Sequence, residues 1–345
     1  MKIFLASSIL AVLAIAACRK VSPASSTQAA PVAAVVPAAA SAATPVATAA
    51  DQELIVAPQE SPSGDIQFKT ALDLHQTPQP GAAQLRGGQE ALSVEWPASL
   101  YVTFQTSKGT AACTAALLGP QVMLTAAHCV PSTGKVSFVY AGHNQPYATA
   151  CTRHPNYPAD PSADFALCSV SPAFAAPAGF RYEGVNSSAM NTLTTRPIIL
   201  TGYGCVSDIV GAGAMDGKYR IGSNTIDETS TSSPRKRPGS AYYAPSQKNN
   251  LFTTDDPGSA NLCPGDSGGP AFLRSGGGGA TTFANRTIIG VNSRVFYANA
   301  AGTMYGSSLI SGTGGPDFLN WAQSWATTAK VAACGIAGTL TTCRS

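Results

Sequence analysis

From about residue 92 onward, the chain consists of short runs that are rich in β-branched and aromatic residues and bounded by Gly, Pro, Asn or Ser. The clearest runs cover residues 100–104, 122–125, 136–140, 197–200 and 287–291. Runs of this length and composition predict β-strands, and their number predicts a β-barrel or a β-sandwich. Apolar residues recur at helical spacing only near the end, over residues 317–325. The sequence therefore predicts an all-β domain with one C-terminal helix.

The N-terminus has the features of an export signal. One lysine precedes an apolar run that is too short for a comfortable membrane span. The run ends in Ile15-Ala16-Ala17-Cys18, which resembles a bacterial lipobox. That resemblance implies that residues 1–17 are a lipoprotein signal peptide and that Cys18 carries the lipid. Arg19 at the next position resembles outer-membrane sorting. The alternative is an ordinary signal peptide with a nearby cysteine.

Two segments with few large apolar side chains separate the signal from the predicted strands. Residues 18–64 are mostly Ala, Pro, Ser, Thr and Val, and they cannot bury enough surface to offset the entropy of ordering. We expect them to form a disordered tether. Residues 65–84 are expected to be a propeptide-like segment with little structure of its own. Residues 85–345 form the expected folded domain, with surface insertions at about 208–250 and 275–280.

The charge distribution argues against a nucleic-acid partner. The net charge is +3, only 11% of residues are charged, and no basic stripe is interleaved with aromatic residues. The one dense basic cluster, Arg235-Lys236-Arg237, lies between prolines and serines and predicts a solvated loop. We expect neither a nucleic-acid partner nor a cofactor.

The cysteines predict disulfides. There are nine, and eight remain if Cys18 is lipidated. An even number in an exported chain is typical of a disulfide framework, although eight cysteines allow 105 pairings, so counting leaves the connectivity open. No pair has the CxxC spacing of a zinc site, so no metal is expected.

The glycine-rich turn Gly265-Asp266-Ser267-Gly268-Gly269-Pro270 contains a candidate nucleophile. A serine hydroxyl needs a base to remove its proton and backbone N–H groups to hold an oxyanion. Glycines on both sides permit a tight turn and a close approach of substrate. Ser267 alone is ambiguous, since any glycine-rich turn can contain a serine.

The order of the histidines narrows the choice of fold. All four precede Ser267: His75, His128, His143 and His154. In α/β-hydrolases the histidine follows the serine, so that fold cannot use Ser267. His128 follows a predicted strand within Thr125-Ala126-Ala127-His128-Cys129. The histidine at position 75 lies in the propeptide-like segment, and the other two are expected in loops.

Asp164 is the candidate carboxylate. It opens the strand-like run Asp164-Phe165-Ala166-Leu167, whereas Asp160 precedes a proline and lacks a following strand. The chain thus offers a histidine, an aspartate and a serine in the order used by chymotrypsin-like enzymes.

Together, these motifs resemble those of the trypsin/chymotrypsin-like serine proteases over about residues 85–325. The resemblance implies a chymotrypsin-like fold of two six-stranded antiparallel β-barrels stapled by disulfides. It implies that Ser267 is the nucleophile, His128 the general base and Asp164 the group that orients the histidine. It also implies an oxyanion hole made by the backbone N–H groups of Gly265 and Ser267.

The same resemblance implies the disulfide pairing. The four implied bonds are Cys113–Cys129, Cys151–Cys168, Cys205–Cys263 and Cys334–Cys343. The first would close the loop before His128, and the second would bracket Asp164. The third would join the nucleophile loop to the segment Thr201-Gly202-Tyr203-Gly204, which resembles the G-W-G segment of the family.

Zymogens of this family are activated by a cut that frees an α-amino group, which then pairs with the aspartate before the nucleophile. The resemblance places that aspartate at Asp266 and the new N-terminus at Leu85, in Leu85-Arg86-Gly87-Gly88. Arg86 and the preceding Gln84 depart from the family pattern. The alternative is a Gly-Gly turn that leads into the first strand.

By resemblance, the substrate pocket contains Asn261, Ser293 and Val295. Asn261, six residues before Ser267, would form an uncharged base. A strict preference for Lys or Arg is therefore not expected. Val295 would shorten the pocket and favour small or medium apolar side chains.

The expected protein is a secreted serine endopeptidase, made as a zymogen, that acts as a monomer on protein or peptide substrates. A lipid on Cys18 would hold it at the cell envelope, with the outer membrane as the expected site. A cut before Leu85 would release the enzyme unless other contacts hold it. Two other classes stay open: a catalytically inactive, protease-like binding protein of the envelope, and a structural lipoprotein. The first predicts a broken triad, and the second does not explain three ordered motifs.

Overall fold

The computed structural model describes residues 55–56, 61–70, 85, 88–91, 95–107, 109–140, 145–205, 216–229, 247–254, 259–274, 285–297 and 307–344. Several sequence predictions lie outside these residues. They are the signal peptide, Cys18, nearly all of the tether, His75, Gln84, His143, the Arg-Lys-Arg cluster and the 275–280 insertion.

Strands dominate the described part of the chain, and one α-helix follows them. The elements are β1 (Ile55–Val56), β2 (Ile66–Lys69), β3 (Gln89–Glu90), β4 (Ser99–Thr106), β5 (Gly109–Gly119), β6 (Val122–Thr125), β7 (Val136–Val139), β8 (Tyr147–Arg153), β9 (Ala166–Ser171), β10 (Pro197–Gly202), β11 (Arg220–Thr229), β12 (Asn250–Thr253), β13 (Pro270–Arg274), β14 (Arg286–Tyr297), β15 (Ser308–Gly312) and α1 (Pro316–Ala329).

The first barrel closes in the order β2-β4-β5-β6-β9-β8-β7. Its pairs are antiparallel except for one: β2 runs parallel to β7, from Ile66 opposite Val136 to Lys69 opposite Val139. Strand β2 is a seventh strand beyond the six that were predicted. It lies in residues 65–84, the segment for which little structure was expected.

The second barrel contains six antiparallel strands, in the order β14-β13-β10-β11-β12-β15, and closes through pairing of β14 with β15. Two short strands from upstream add to it. Strand β1 pairs with the end of β14, and β3 pairs with the start of β11. The predicted fold of two antiparallel barrels with a C-terminal helix is confirmed.

An apolar core continues across the interface between the barrels. The fully buried ring of Trp96 precedes β4 and lies 5.7 Å from Tyr219 and 5.4 Å from Phe272 of the second barrel. Arg286 places its guanidinium 3.5 Å from the centre of the Trp96 ring and pairs with the buried carboxylate of Glu183. Because each buried charge has an opposite partner, the interface tolerates both of them.

Helix α1 packs against the first barrel. Phe318, Ala322 and Ala326 are buried, and their spacing of four residues places them on one face of the helix. The ring of Phe318 lies 4.7 Å from that of Phe165, which directly follows Asp164. Among the described residues, no helix is long and apolar enough to cross a membrane.

Four disulfides join the described cysteines. The pairs are Cys113–Cys129, Cys151–Cys168, Cys205–Cys263 and Cys334–Cys343, as the family resemblance implies. The first links β5 to the turn after β6, and the second links β8 to β9. The third joins the chain after β10 to the loop before β13. The first and the third disulfides therefore brace the segments that carry the candidate site.

Candidate active site

His128 and Asp164 meet because their strands are neighbours. In the antiparallel pairing of β6 with β9, Thr125 lies opposite Ala166. The single turn Ala127–Cys129 follows β6, and Asp164 precedes β9, so both lie at the same end of the pair. His128 Nδ1 lies 2.7 Å from Asp164 Oδ2, and the backbone N–H of His128 donates to Asp164 Oδ1 at 3.0 Å.

The Asp164 carboxylate is fully buried and strongly bound. Besides the contacts from His128, it accepts a hydrogen bond from the Ser293 hydroxyl at 2.7 Å. Burial alone would raise the pKa of Asp164, but the nearby charge of His128 and the hydrogen bonds from His128 and Ser293 outweigh it and lower the pKa below its usual value. The carboxylate is therefore ionised at neutral pH and fixes the orientation of the imidazole.

The Ser267 loop belongs to the second barrel and rests on the first. Thr114 of β5 donates its backbone N–H to the Ser267 carbonyl at 2.7 Å and its hydroxyl to the Gly265 carbonyl at 3.0 Å. The Cys129 sulfur lies 3.6 Å from the carbonyl oxygen of Ser267 and 3.7 Å from His128 Nε2. The imidazole and the serine backbone therefore flank the same sulfur atom.

The side chain of Ser267 is partly exposed, whereas His128 is buried. Among the described residues, no hydrogen bond joins the Ser267 hydroxyl to His128. Hydrogen bonds between catalytic groups often tighten only when substrate binds. The arrangement thus holds the base firmly and leaves the hydroxyl open to a substrate.

The backbone of the Ser267 loop has two N–H groups with no described acceptor. Asp266, Gly268 and Gly269 donate their N–H groups within the loop or to β14. The N–H groups of Gly265 and Ser267 donate to no described residue. Gly265 has a φ of 102°, which only glycine adopts without strain. These two donors are available for an oxyanion.

Asp266 is the second fully buried carboxylate of the site. It accepts hydrogen bonds from the backbone N–H groups of Gly204 and Cys263, both at 2.8 Å. Burial raises the pKa of Asp266 to about 7, against the opposing effects of these bonds and of the Arg220 charge. Among the described residues, no cation forms an ion pair with it.

Gly202 and Gly204 leave room for the Asp266 carboxylate. A Cβ atom on Gly202 would lie 2.2 Å from Asp266 Oδ1, and one on Gly204 would lie 2.5 Å from the same atom. Any side chain at either position would push Asp266 out of place. These are the two glycines of the segment that resembles the family's G-W-G.

Leu85 lies inside the second barrel. Its side chain is buried in the apolar cluster of that barrel, and a Cβ on Gly222 would lie 2.9 Å from its Cδ2. It accepts a hydrogen bond from the Gly88 backbone, and its φ is 62°. Further along the chain, β3 pairs with Arg220 and Ile221.

The predicted pocket residues Asn261 and Val295 meet at Ser308. Val295 lies opposite Ser308 in the pairing of β14 with β15, and the Ser308 hydroxyl lies 3.5 Å from Asn261 Oδ1. The Asn261 amide also donates to the Ser259 carbonyl at 3.3 Å. Ser293, predicted for the pocket, directs its hydroxyl to Asp164 instead. The described groups in contact with Asn261 carry no charge.

Sequence reasoning missed two residues that hold the nucleophile loop. Thr114 does so through the contacts given above. The side-chain amide of Asn292 donates to the backbone carbonyl of Thr201 at 2.7 Å and to that of Asp266 at 3.3 Å. The backbone carbonyl of Asn292 accepts the N–H of Gly268. Asn292 lies next to the predicted pocket residue Ser293. No sequence motif reveals that Thr114 and Asn292 hold the loop.

The alternative candidates lie outside the site. Asp160 accepts hydrogen bonds from the backbone and hydroxyl of Ser162, at 2.8 and 2.7 Å, which shape the loop before Asp164. His154 packs against Trp321 of α1, at 4.9 Å between ring centres. Burial lowers the pKa of His154, and the contact with Asp317 opposes that effect.

Cys113, His128 and Cys129 form a group that could hold a metal by distance alone. Both sulfurs belong to the Cys113–Cys129 disulfide, so neither cysteine has the free thiolate that binds a metal. The group is therefore explained by the disulfide beside the histidine.

The comparison with protein families agrees with this geometry. The family model described as Trypsin matches residues 85–308, about two thirds of the chain. No curated protein sequence matches the chain at a significant level. The matched range includes His128, Asp164 and Ser267, and it contains every strand from β3 to β14 and the first residue of β15. The chain therefore belongs to the trypsin family.

Proposed function

We propose that the chain is an exported serine endopeptidase that acts through His128, Asp164 and Ser267. The observation that carries the proposal is the buried Asp164 carboxylate. It is hydrogen-bonded to the backbone N–H of His128, to His128 Nδ1 and to the Ser293 hydroxyl. A solvated surface aspartate would not need three donors. The family match supports protease activity in general.

In the proposed reaction, Ser267 Oγ attacks the carbonyl carbon of a peptide bond while His128 Nε2 takes the hydroxyl proton. The N–H groups of Gly265 and Ser267 stabilise the negative oxygen of the tetrahedral intermediate. His128 then gives its proton to the leaving amine as the C–N bond breaks, which leaves an acyl-enzyme. A water molecule, deprotonated by His128, then attacks the ester carbonyl carbon. The bond between that carbon and Ser267 Oγ breaks, the carboxylic acid product leaves, and His128 returns the proton to Ser267 Oγ. Asp164 stays ionised throughout and stabilises the imidazolium.

We further propose that the protein is made as a zymogen that is cut between Gln84 and Leu85. Asp266 is buried, accepts two backbone N–H groups and forms no ion pair with a described cation, and burial raises its pKa to about 7. A new α-amino group at Leu85 would supply that charge. Leu85 already lies in the second barrel, beside β11. N-terminal sequencing of the active protein tests the cut, and an active form that begins far upstream contradicts it.

For the substrate we propose a neutral side chain of small or medium size before the cleaved bond. The support is the uncharged set of groups around Asn261 and the position of Val295 opposite Ser308. A peptide-library cleavage profile dominated by Arg and Lys would contradict this preference.

We propose export and lipid attachment at Cys18 from the sequence alone. The lipobox-like run supports attachment, and Arg19 supports the outer membrane. Mass spectrometry of the first mature peptide checks it, since an unmodified Cys18 would exclude the anchor. Protein or peptide substrates and a monomeric enzyme complete the proposal.

The rival function is an inactive binding protein that keeps the protease fold. Labelling with a serine-directed phosphonate separates the two, with wild type compared with Ser267→Ala after the cut at Leu85. We expect labelling of wild type only, and peptidase activity that falls by about 10⁶-fold in the variant. Wild-type protein that is correctly cut, folded and unlabelled would favour the binding protein.

A further inference from the structure

Strand β2 belongs to the first barrel although it lies upstream of the family match. The match begins at residue 85, and β2 covers Ile66–Lys69. In the barrel, β2 stands between β4 and β7, the first and fourth of the barrel strands that follow residue 85. It pairs with β7 along all four residues and with β4 at Lys69 opposite Tyr101. The barrel therefore closes through a strand that the rest of the domain does not supply.

The side chains of β2 alternate between core and solvent. Ile66 and Phe68 belong to the core of the first barrel, and Phe68 is fully buried. Gln67 and Lys69 point outward. This alternation is the pattern of a strand with one buried face. The barrel core would lose a fully buried aromatic ring if β2 left.

Backbone contacts extend beyond the four paired residues. Ile66 donates to the carbonyl of Lys135 at 2.9 Å, and Thr70 donates to that of Val139 at 3.3 Å. The Asp65 carboxylate accepts the backbone N–H of Lys135 at 2.8 Å. The contact is so close that a Cβ on Gly134 would lie 2.3 Å from the backbone of Gly64. The turn before β7 is shaped to receive this segment.

The same upstream segment also meets the second barrel. Ile55 and Val56 form β1, which lies opposite Tyr297 and Phe296 at the end of β14. Strand β1 thus contacts the second barrel, and residues 61–70 contact the first barrel. Since no cysteine lies between Cys18 and Cys113, no disulfide can hold this segment to the domain.

We propose that residues 61–70 stay in the first barrel after the chain is cut between Thr70 and Leu85. The proposal rests on the cut that is part of the proposed function. It makes the mature enzyme a non-covalent pair of chains: an upstream fragment that supplies β2, and a domain that begins at Leu85. Cutting before Leu85 then does not release the enzyme from whatever holds its N-terminus. From the sequence, activation was expected to free the domain unless other contacts hold it, and β2 supplies such contacts.

The test uses the full chain with Ser267→Ala and a recognition sequence for a site-specific protease placed within residues 72–82. The added protease makes the cut, so the result does not depend on whether Ser267 is catalytic or Leu85 is the natural N-terminus. After complete cutting, we expect both fragments in one peak of native gel filtration, in equal amounts. They should separate in denaturing guanidinium chloride.

Two matched variants locate the contact. Phe68→Glu adds a charge on the buried face of β2, and Gln67→Glu adds the same charge on the exposed face. After cutting, we expect the Phe68→Glu fragment to be lost and the Gln67→Glu fragment to be retained. If Phe68→Glu does not fold before the cut, amide hydrogen exchange is measured instead on the cut chain without a substitution in β2. There, we expect the amides of residues 66–69 and 136–139 to be protected together.

Three outcomes would overturn the proposal. The first is an upstream fragment that elutes alone, whether the domain stays folded or aggregates. The second is equal retention of the Phe68→Glu and Gln67→Glu fragments. The third is rapid exchange of the β2 amides in the cut protein while those of β5 and β6 stay protected.

Discussion

The two buried aspartates of this site have opposite electrostatic surroundings. Asp164, in the first barrel, is held by His128 and Ser293, and its pKa lies below the usual value. Asp266, in the second barrel, has two backbone donors and no described cation partner, and burial raises its pKa to about 7. Under the proposed roles, the carboxylate beside the base has its full set of partners, whereas the buried carboxylate beside the nucleophile has no described cation partner.

This difference indicates where the site can be switched. A carboxylate with a full set of hydrogen-bond donors, such as Asp164, holds the His128 imidazole in one orientation. A carboxylate with a raised pKa is destabilising in its charged form, and any cation that reaches it is bound tightly. Under the proposed function, Asp266 is therefore the group through which activity is switched, and Asp164 is the group that orients the base.

Among changes to the two buried aspartates and their partners, the largest effect is expected from Asp164→Asn. An amide in place of the carboxylate cannot accept the His128 Nδ1 proton in the same way and favours the wrong tautomer of the imidazole. We expect kcat to fall by about 10⁴-fold. Steady-state kinetics of the activated enzyme measure this loss.

The control for that variant is Asp160→Asn. Asp160 bonds to Ser162 and not to His128, so kcat should stay near the wild-type value even if stability falls. A loss of kcat in Asp160→Asn as large as in Asp164→Asn would mean that the orienting carboxylate is wrongly assigned.

An intermediate effect is expected from Asp266→Asn, on stability and its dependence on pH. The folded-state pKa of about 7 lies above the ordinary 3.8, so the folded state binds the proton more tightly than the unfolded state. The uncut wild type should therefore lose stability as pH rises from about 4 through about 7. The variant lacks this titration. Between pH 4 and 8, the unfolding free energy of wild type should therefore fall by about 2–4 kcal/mol relative to that of Asp266→Asn.

Denaturant titrations of both uncut proteins at several pH values measure that difference. In the cut protein, a Leu85 amine paired with Asp266 would lower its pKa, and the loss of wild-type stability up to neutral pH should disappear. Parallel pH curves for uncut wild type and variant would show that Asp266 is not a charged, unpaired group above pH 7.

The smallest effect is expected from Ser293→Ala. This change removes one donor from Asp164 and leaves both contacts from His128. A hydrogen bond to a charged group contributes about 1.5–3 kcal/mol, so kcat/KM should fall by roughly tenfold or somewhat more. The acid stability limit should move to higher pH, because Asp164 becomes easier to protonate.

Ser311→Ala serves as the comparison for that variant. Ser311 is a buried serine on β15, and its hydroxyl bonds to no described residue. We expect its kcat/KM and pH profile to match wild type. Equal effects of the two changes would mean that loss of Ser293 acts through packing and not through Asp164.

The sequence was most informative where short motifs carry both chemistry and position. The strand pattern together with the family resemblance led to the two barrels, which the structure confirms. The order of His128, Asp164 and Ser267 along the chain is enough by itself to exclude an α/β-hydrolase triad. In each case the informative residues lie within short motifs that can be recognised without their partners in space.

Strand β2 and the loop contacts could not be predicted in the same way. The run Ile66-Gln67-Phe68-Lys69 alternates correctly, but four residues beside a polar segment give a weak signal. Its partner β7 is 70 positions away, and parallel pairing leaves no hairpin turn to reveal it. Thr114 and Asn292 were missed because their roles depend on which loop faces them across the barrel interface.

If the chain is cut before Leu85 as proposed, the position of β2 makes the stability of the mature enzyme depend on protein concentration. Before a cut, the strand is covalently joined to the domain, and its effective concentration at the groove between β4 and β7 is set by the length of the connecting chain. After a cut, the same contacts become a bimolecular equilibrium. The stability of the first barrel then depends on how much upstream fragment is present, so dilution weakens it and a crowded surface that carries both chains preserves it.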